Sequence, residues 1–130
     1  MQLTSALNLR ELQRYLSRVG DRWPLQMVML GGERVAELRN SSAETATPSS
    51  GAEYIVVLVS SGFDGMPWLE RIYQASALWD ALEMGDGADL HCYTPVEFLR
   101  RRESSPVMRR VAERGLLLFE DSEPFNAARA

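Results

Sequence analysis

The chain has 130 residues, 45% of them hydrophobic, which is the size and apolar content of one ordinary domain able to bury a core. A net charge of −4 excludes a global attraction to nucleic acid or anionic membrane and leaves only a local basic patch. All 14 basic residues are arginine, so Schiff-base and P-loop lysine chemistry are excluded, and a single Cys92 excludes an internal disulfide.

Residues from about 5 to 19 place Leu7, Leu9, Leu12, Tyr15, Leu16 and Val19 at three-to-four spacing with arginines between them, which predicts an amphipathic helix stopped by Gly20 and Asp21. The charges spread through this stretch are incompatible with a signal peptide, and the longest apolar run, Ile55 to Val59, is too short to span a bilayer. The expected location is the cytoplasm. Pro24 to Leu30 is a short apolar run closed by Gly31 and Gly32, a strand delivered into a tight turn, and Glu33 to Arg39 has the composition of a short helix behind it. Residues 40–52, rich in Ser and Thr, form an expected flexible loop.

Glu53 to Ser60 is the second predicted strand, and its continuous β-branched run implies that both faces are covered. Trp68, Leu69, Ile72, Tyr73, Ala75, Leu78, Trp79 and Leu82 mark one helix to about Met84, ended by Gly85. Ala88 to Tyr93 suits a third strand. Thr94, Pro95 and Glu97 are a capping box with proline at the first helical position, opening a helix to about Glu103. A second helix restarts at Pro106 and ends at Gly115, Leu116 to Glu120 is a last strand, and 121–130 is a polar tail. The order predicts a single α/β (α+β) domain over residues 1–120, with a small central mixed sheet of three to four strands and packed helices.

Three features fall into one pattern: Leu30-Gly31-Gly32 after the first strand, an acid at the mouth of the second, and Asp89 opening the third. With "MPWLERIYQASALWD" and "DLHCYTPVEFLRRRESSPVMRRVAERGLLLFE", the chain resembles the minimal nucleotidyltransferases of the DNA polymerase beta superfamily over roughly residues 5–120. The resemblance implies a nucleotidyltransferase-like fold. It also implies transfer of a nucleoside monophosphate from a nucleoside triphosphate, with Gly31 and Gly32 at the phosphates and Glu53 and Asp89 as catalytic carboxylates on Mg²⁺. Two acids at i and i+2 of a strand share a face and can bridge two ions, and a third acid from a neighbouring strand completes the cage.

Here the first acid's place is held by Gly51, which supplies no carboxylate. Glu53 carries its oxygens one methylene further out than an aspartate, and eighteen residues separate Gly32 from Gly51, a longer interval than the family's. The expected site is therefore degenerate, with Mg²⁺ and nucleoside triphosphate as cofactors only if activity survives. Two classes follow: a nucleotidyltransferase whose transfer is lost or strongly weakened, or a non-catalytic interaction module. The resemblance gives that module a second copy or a HEPN-type helical protein as partner.

His91 shares a face with Asp89, so Asp89, His91 and Glu53 form a candidate transition-metal group, while Cys92 points the other way, toward the core. Residues 96–114 carry six arginines against Glu97, Glu103 and Glu113, a locally basic helical pair open to RNA or an acidic partner, or simply a solvated face. Trp68, Tyr73, Trp79 and Phe98, at helical spacings, are expected in the core.

Overall fold

A computed structural model of the chain describes residues 8–33, 35 and 53–120. The expected loop at 40–52, Gly51 within it, the helix expected as far as Arg39 and the tail at 121–130 lie outside the described residues. Helix α1 (Leu9–Arg22) starts where Asn8 accepts the Glu11 main-chain N–H, 3.1 Å. Contrary to expectation it runs through Gly20 and Asp21 to Arg22. A glycine inside a helix costs about 1 kcal/mol, and burial of Val19 and Trp23 on either side of it outweighs that cost.

Strand β1 (Leu25–Gly31) is followed by helical backbone at Glu33 and Val35, and β2 (Ile55–Ser60) leads through a 3₁₀ turn (Ser61–Phe63) to α2. The single helix expected from Trp68 to Met84 is instead two, α2 (Trp68–Ala77) and α3 (Ala81–Met84). Asp80 makes the break by accepting the Glu83 N–H at 3.1 Å as a new N-cap. Trp79, in the break, packs edge-on against Tyr15 at 5.0 Å and Tyr54 at 5.3 Å between ring centres and donates its indole N–H to the Asp86 carbonyl. Strand β3 (Asp89–Tyr93), α4 (Pro95–Ser104), α5 (Pro106–Arg114) and β4 (Leu116–Glu120) complete the order. The capping box opening α4 is formed in full: the Thr94 hydroxyl accepts from Glu97 N–H, and the Glu97 carboxylate accepts from Thr94 N–H.

The four strands make one mixed sheet in the order β3-β2-β1-β4. β1 runs antiparallel to β2 and β4, and β2 runs parallel to β3. Alternation sends Val28, Leu30, Val56, Leu58, Leu90 and Cys92 to one face, against α1, α2 and α3. Met27, Met29, Val57, Val59 and Tyr93 meet Phe98 of α4 and Met108 and Val111 of α5 on the other. β2, covered by strands on both sides and helices on both faces, is buried from Val56 to Ser60, as its β-branched run requires. Buried polar ends are satisfied across the layers: Tyr15 Oη donates to the Ala75 carbonyl at 3.0 Å and Tyr54 Oη to the Met84 carbonyl at 2.7 Å. Of the four aromatics expected inside, Phe98 is core and Trp79 is packed against it, but Trp68 is 40% and Tyr73 73% exposed. The helical spacing of α2 marks a face without saying which part of that face the sheet is wide enough to cover.

One side chain joins three of these elements. Arg71 of α2, 6% exposed, donates to the Met66 carbonyl (3.0 Å), the Cys92 carbonyl of β3 (3.1 Å) and both Glu97 oxygens of α4 (2.7 and 3.4 Å). Its guanidinium also lies 5.8 Å from the Phe63 ring centre and 5.7 Å from that of Trp68. The Arg71 hydrogen bond holds the Glu97 carboxyl below its ordinary value of 4.5, with the Thr94 N–H adding to the effect and partial burial opposing it. A carboxyl depressed in the fold contributes stability above its unfolded pKa, and that contribution is lost as pH falls below about 4.5. Arg71→Met is expected to cost about 3 kcal/mol in chemical denaturation, the lower end for a broken buried pair because Glu97 is partly solvated. Glu97→Gln should flatten the acid limb of stability against pH; an unchanged limb would show that the pair carries none of it.

Candidate functional site

The residues singled out in the sequence gather at one end of the sheet. Gly31, the last residue of β1, pairs with Ile55, and Ile55 pairs on its other side with Asp89, so Gly31, Ile55 and Asp89 form one row across three strands. Asp89 N–H donates to the Tyr54 carbonyl at 2.9 Å, fixing the start of β3 against the start of β2. Glu53, half-buried, precedes β2 by two residues. Gly51 and Arg34 lie outside the described residues.

Packing accounts for both glycines. A Cβ on Gly31 would sit 3.0 Å from a Val111 methyl, so the missing side chain seats α5 against β1. Gly32 has φ +105°, and a Cβ there would lie 2.5 Å from the Glu53 carbonyl oxygen and 2.8 Å from Tyr54 Cα. The chain crosses its own backbone at that point, and only glycine permits it.

Among the acids, Asp89 is exposed and its carboxylate meets His91 Nε2 at 3.2 Å, the two residues sharing the α4/α5 face of β3. Among the described residues no three His, Cys, Asp or Glu side chains are grouped to hold a metal ion, so Glu53 does not join Asp89 and His91 in the candidate transition-metal group. Among the described residues Glu53 and Asp89 supply fewer carboxylate oxygens than a two-ion Mg²⁺ cage needs, several of them converging in octahedral geometry. Cys92 points to the opposite face and is fully buried; burial pushes its thiol up to about 12, with Arg71 opposing, so it stays protonated and inert.

Beyond this row, His91 and Tyr93 continue along β3 with ring centres 6.4 Å apart, and Tyr93 packs 5.4 Å from Trp68 and 6.4 Å from Phe98. Burial raises the Tyr93 hydroxyl pKa, and the nearby Arg101 charge pulls against it. Arg100, Arg101, Arg102, Arg109 and Arg110 are all exposed, and among the described residues none forms an ion pair. Sequence reasoning missed Arg71 and the Trp68 to Tyr93 contact. Arg71 sits in an ordinary amphipathic pattern, and its partner Glu97, 26 positions away, is already explained by the capping box.

No protein-family model and no curated protein matches the chain. Among solved structures, a candidate nucleotidyltransferase from Sulfolobus solfataricus is similar with a TM-score of 0.50 and 15% identity, over 88% of this chain and 82% of that one. The mixed four-stranded sheet with its helices is a nucleotidyltransferase-like fold. Among the described residues no helix is long and apolar enough to cross a membrane.

The backbone crossing at Gly32 gives a direct test. Gly32→Ala combines a positive φ with a clash against fixed main chain and is expected to lower stability by about 3 kcal/mol. A loss under about 0.5 kcal/mol, the range of a neutral surface change, would mean the turn relaxes freely and the glycine is there for another reason.

Proposed function

We propose that this chain is a nucleotidyltransferase-fold protein in which Mg²⁺-dependent nucleotidyl transfer is lost or strongly weakened. The observation that carries the reading is the absence, among the described residues, of any three-ligand group around Asp89, together with Gly51 at the position where the family resemblance calls for the first carboxylate. Asp89 is tied to His91, and Gly31 and Gly32 answer to packing. What remains of the family's site is Glu53 and Asp89 at the correct end of the sheet, a vestige that lacks the oxygens needed to bridge two ions. Calorimetric titration of ATP and GTP with and without Mg²⁺ tests this. No metal-dependent heat is expected. Mg²⁺-dependent binding that disappears in Asp89→Ala would establish a working site and sink the proposal.

A second reading, an interaction module, is favoured by edge strand β4, where Leu117 is 54% and Phe119 44% exposed. Among the described residues no strand pairs with the outer edge of β4, and an exposed apolar edge is a template for another strand. The occupant proposed is a second copy, antiparallel across β4; a HEPN-type partner and a cytoplasmic location rest on the sequence reading alone. Light scattering after gel filtration should give a dimer that Leu117→Arg converts to monomer with its circular dichroism intact. A wild-type monomer at about 100 μM, far above the Kd of a specific dimer, removes this reading.

A further inference from the structure

Tertiary packing brings together two features that are far apart in the sequence, a set of free arginines and a line of aromatic rings. Trp68, from the first residue of α2, lies against Tyr93 of edge strand β3, and His91 continues the line toward Asp89. Trp68 keeps 40% of its surface exposed although Arg71 and Tyr93 pack against its ring, and His91 is partly exposed, so the line has accessible ring surface. Beside it, α4 presents Arg100, Arg101 and Arg102 to solvent. Arg102 lies 6.0 Å from the Phe98 ring centre and Phe98 is packed on Tyr93, while the Arg101 charge reaches Tyr93 itself. Two carboxylates bordering this surface are engaged, Glu97 by Arg71 and Asp89 by His91, and Glu103 stands exposed at the far end of α4.

Exposed guanidinium groups near partly exposed rings match a polyanion whose units carry both a phosphate and a flat base. We propose that the β3 edge and the exposed arginines of α4 bind single-stranded nucleic acid, with Arg101 and Arg102 on phosphates and Trp68 and His91 offering ring surface to unpaired bases. An acidic protein would need the charges alone and would leave the rings without a role. A duplex hides its base faces, so it too would use only the arginines. The overall charge of −4 opposes binding at long range, which makes the interaction local and strongly salt-dependent. This inference goes beyond the loss of transfer activity and does not depend on it, because no metal or nucleotide takes part.

The test is fluorescence anisotropy of a labelled twelve-nucleotide oligouridylate at low and moderate salt, with a matched RNA duplex and a polyglutamate peptide as competitors. Single-strand binding is expected, with Arg101→Ala/Arg102→Ala lowering the slope of log K against log salt by about 1.4, the loss of two phosphate contacts to a single strand. Arg10→Ala/Arg14→Ala, which removes the same charge from α1, should leave the slope in place. Trp68→Ala is expected to weaken binding about tenfold, and Trp68→Phe, which preserves the packing, should retain affinity while abolishing the quenching of tryptophan emission by RNA. Failure of the oligonucleotide to bind at low salt overturns the proposal, as does an equal loss in both arginine pairs. Polyglutamate or duplex that competes as well as the single strand, with Trp68→Ala neutral, assigns the surface to charge alone and overturns it too.

Discussion

The position of Arg71 constrains much of the rest of the molecule. A guanidinium at 6% exposure is stable in the interior only if its donors are met, and here they are met by the turn before α2, by a carbonyl of edge strand β3 and by the first turn of α4. Those acceptors belong to segments that short-range rules place independently. The capping box would start α4 anywhere, and α2 would form against any apolar surface. Arg71 fixes where they sit relative to each other, because its planar fork accepts one orientation of the Glu97 carboxylate. Trp68, three residues earlier and one helical turn away, is thereby carried onto Tyr93.

At the opposite end of the same strands the constraint is steric. Gly32 lets the chain leave β1 across the Glu53–Tyr54 backbone, and Gly31 lets α5 close on the sheet. The same two glycines carry the family resemblance, so a position that looks like a ligand cradle is also one the fold cannot do without. A protein that gave up nucleotide chemistry would still keep them. The carboxylates have no such second duty: a metal cage is a set of mutually repelling charges, and without ions to hold it nothing in the packing demands its return.

The surface is correspondingly uneven. The sheet's two edges carry different chemistry, an apolar one at β4 with Leu117 and Phe119, and an aromatic and basic one at β3 beside α4. Both differ from the charged, mixed exterior of α1, where Glu11 is buried against Arg14 and Arg18. A four-stranded sheet covered by helices on both faces has little left to expose except its edges.

The local elements were legible in the sequence where one short-range rule acted alone. The capping box at Thr94 and the pair of helices restarting at Pro106 appear where patterning placed them, and the strand expected over Glu53 to Ser60 forms from Ile55. Errors fell where two rules competed: Gly20 yields to the burial of Val19 and Trp23, and the helix expected through Met84 breaks because Asp80 caps a new start while Trp79 turns in toward Tyr15 and Tyr54. By itself the sequence determined the element types and the mixed α/β class, since these depend on residue identity and near neighbours. Only the tertiary structure decided that Asp89 pairs with His91, that Arg71 is buried, and that Trp68 lies against Tyr93. Those facts depend on which strands become neighbours, and strand order is set by packing between residues far apart in the chain, which no local pattern encodes.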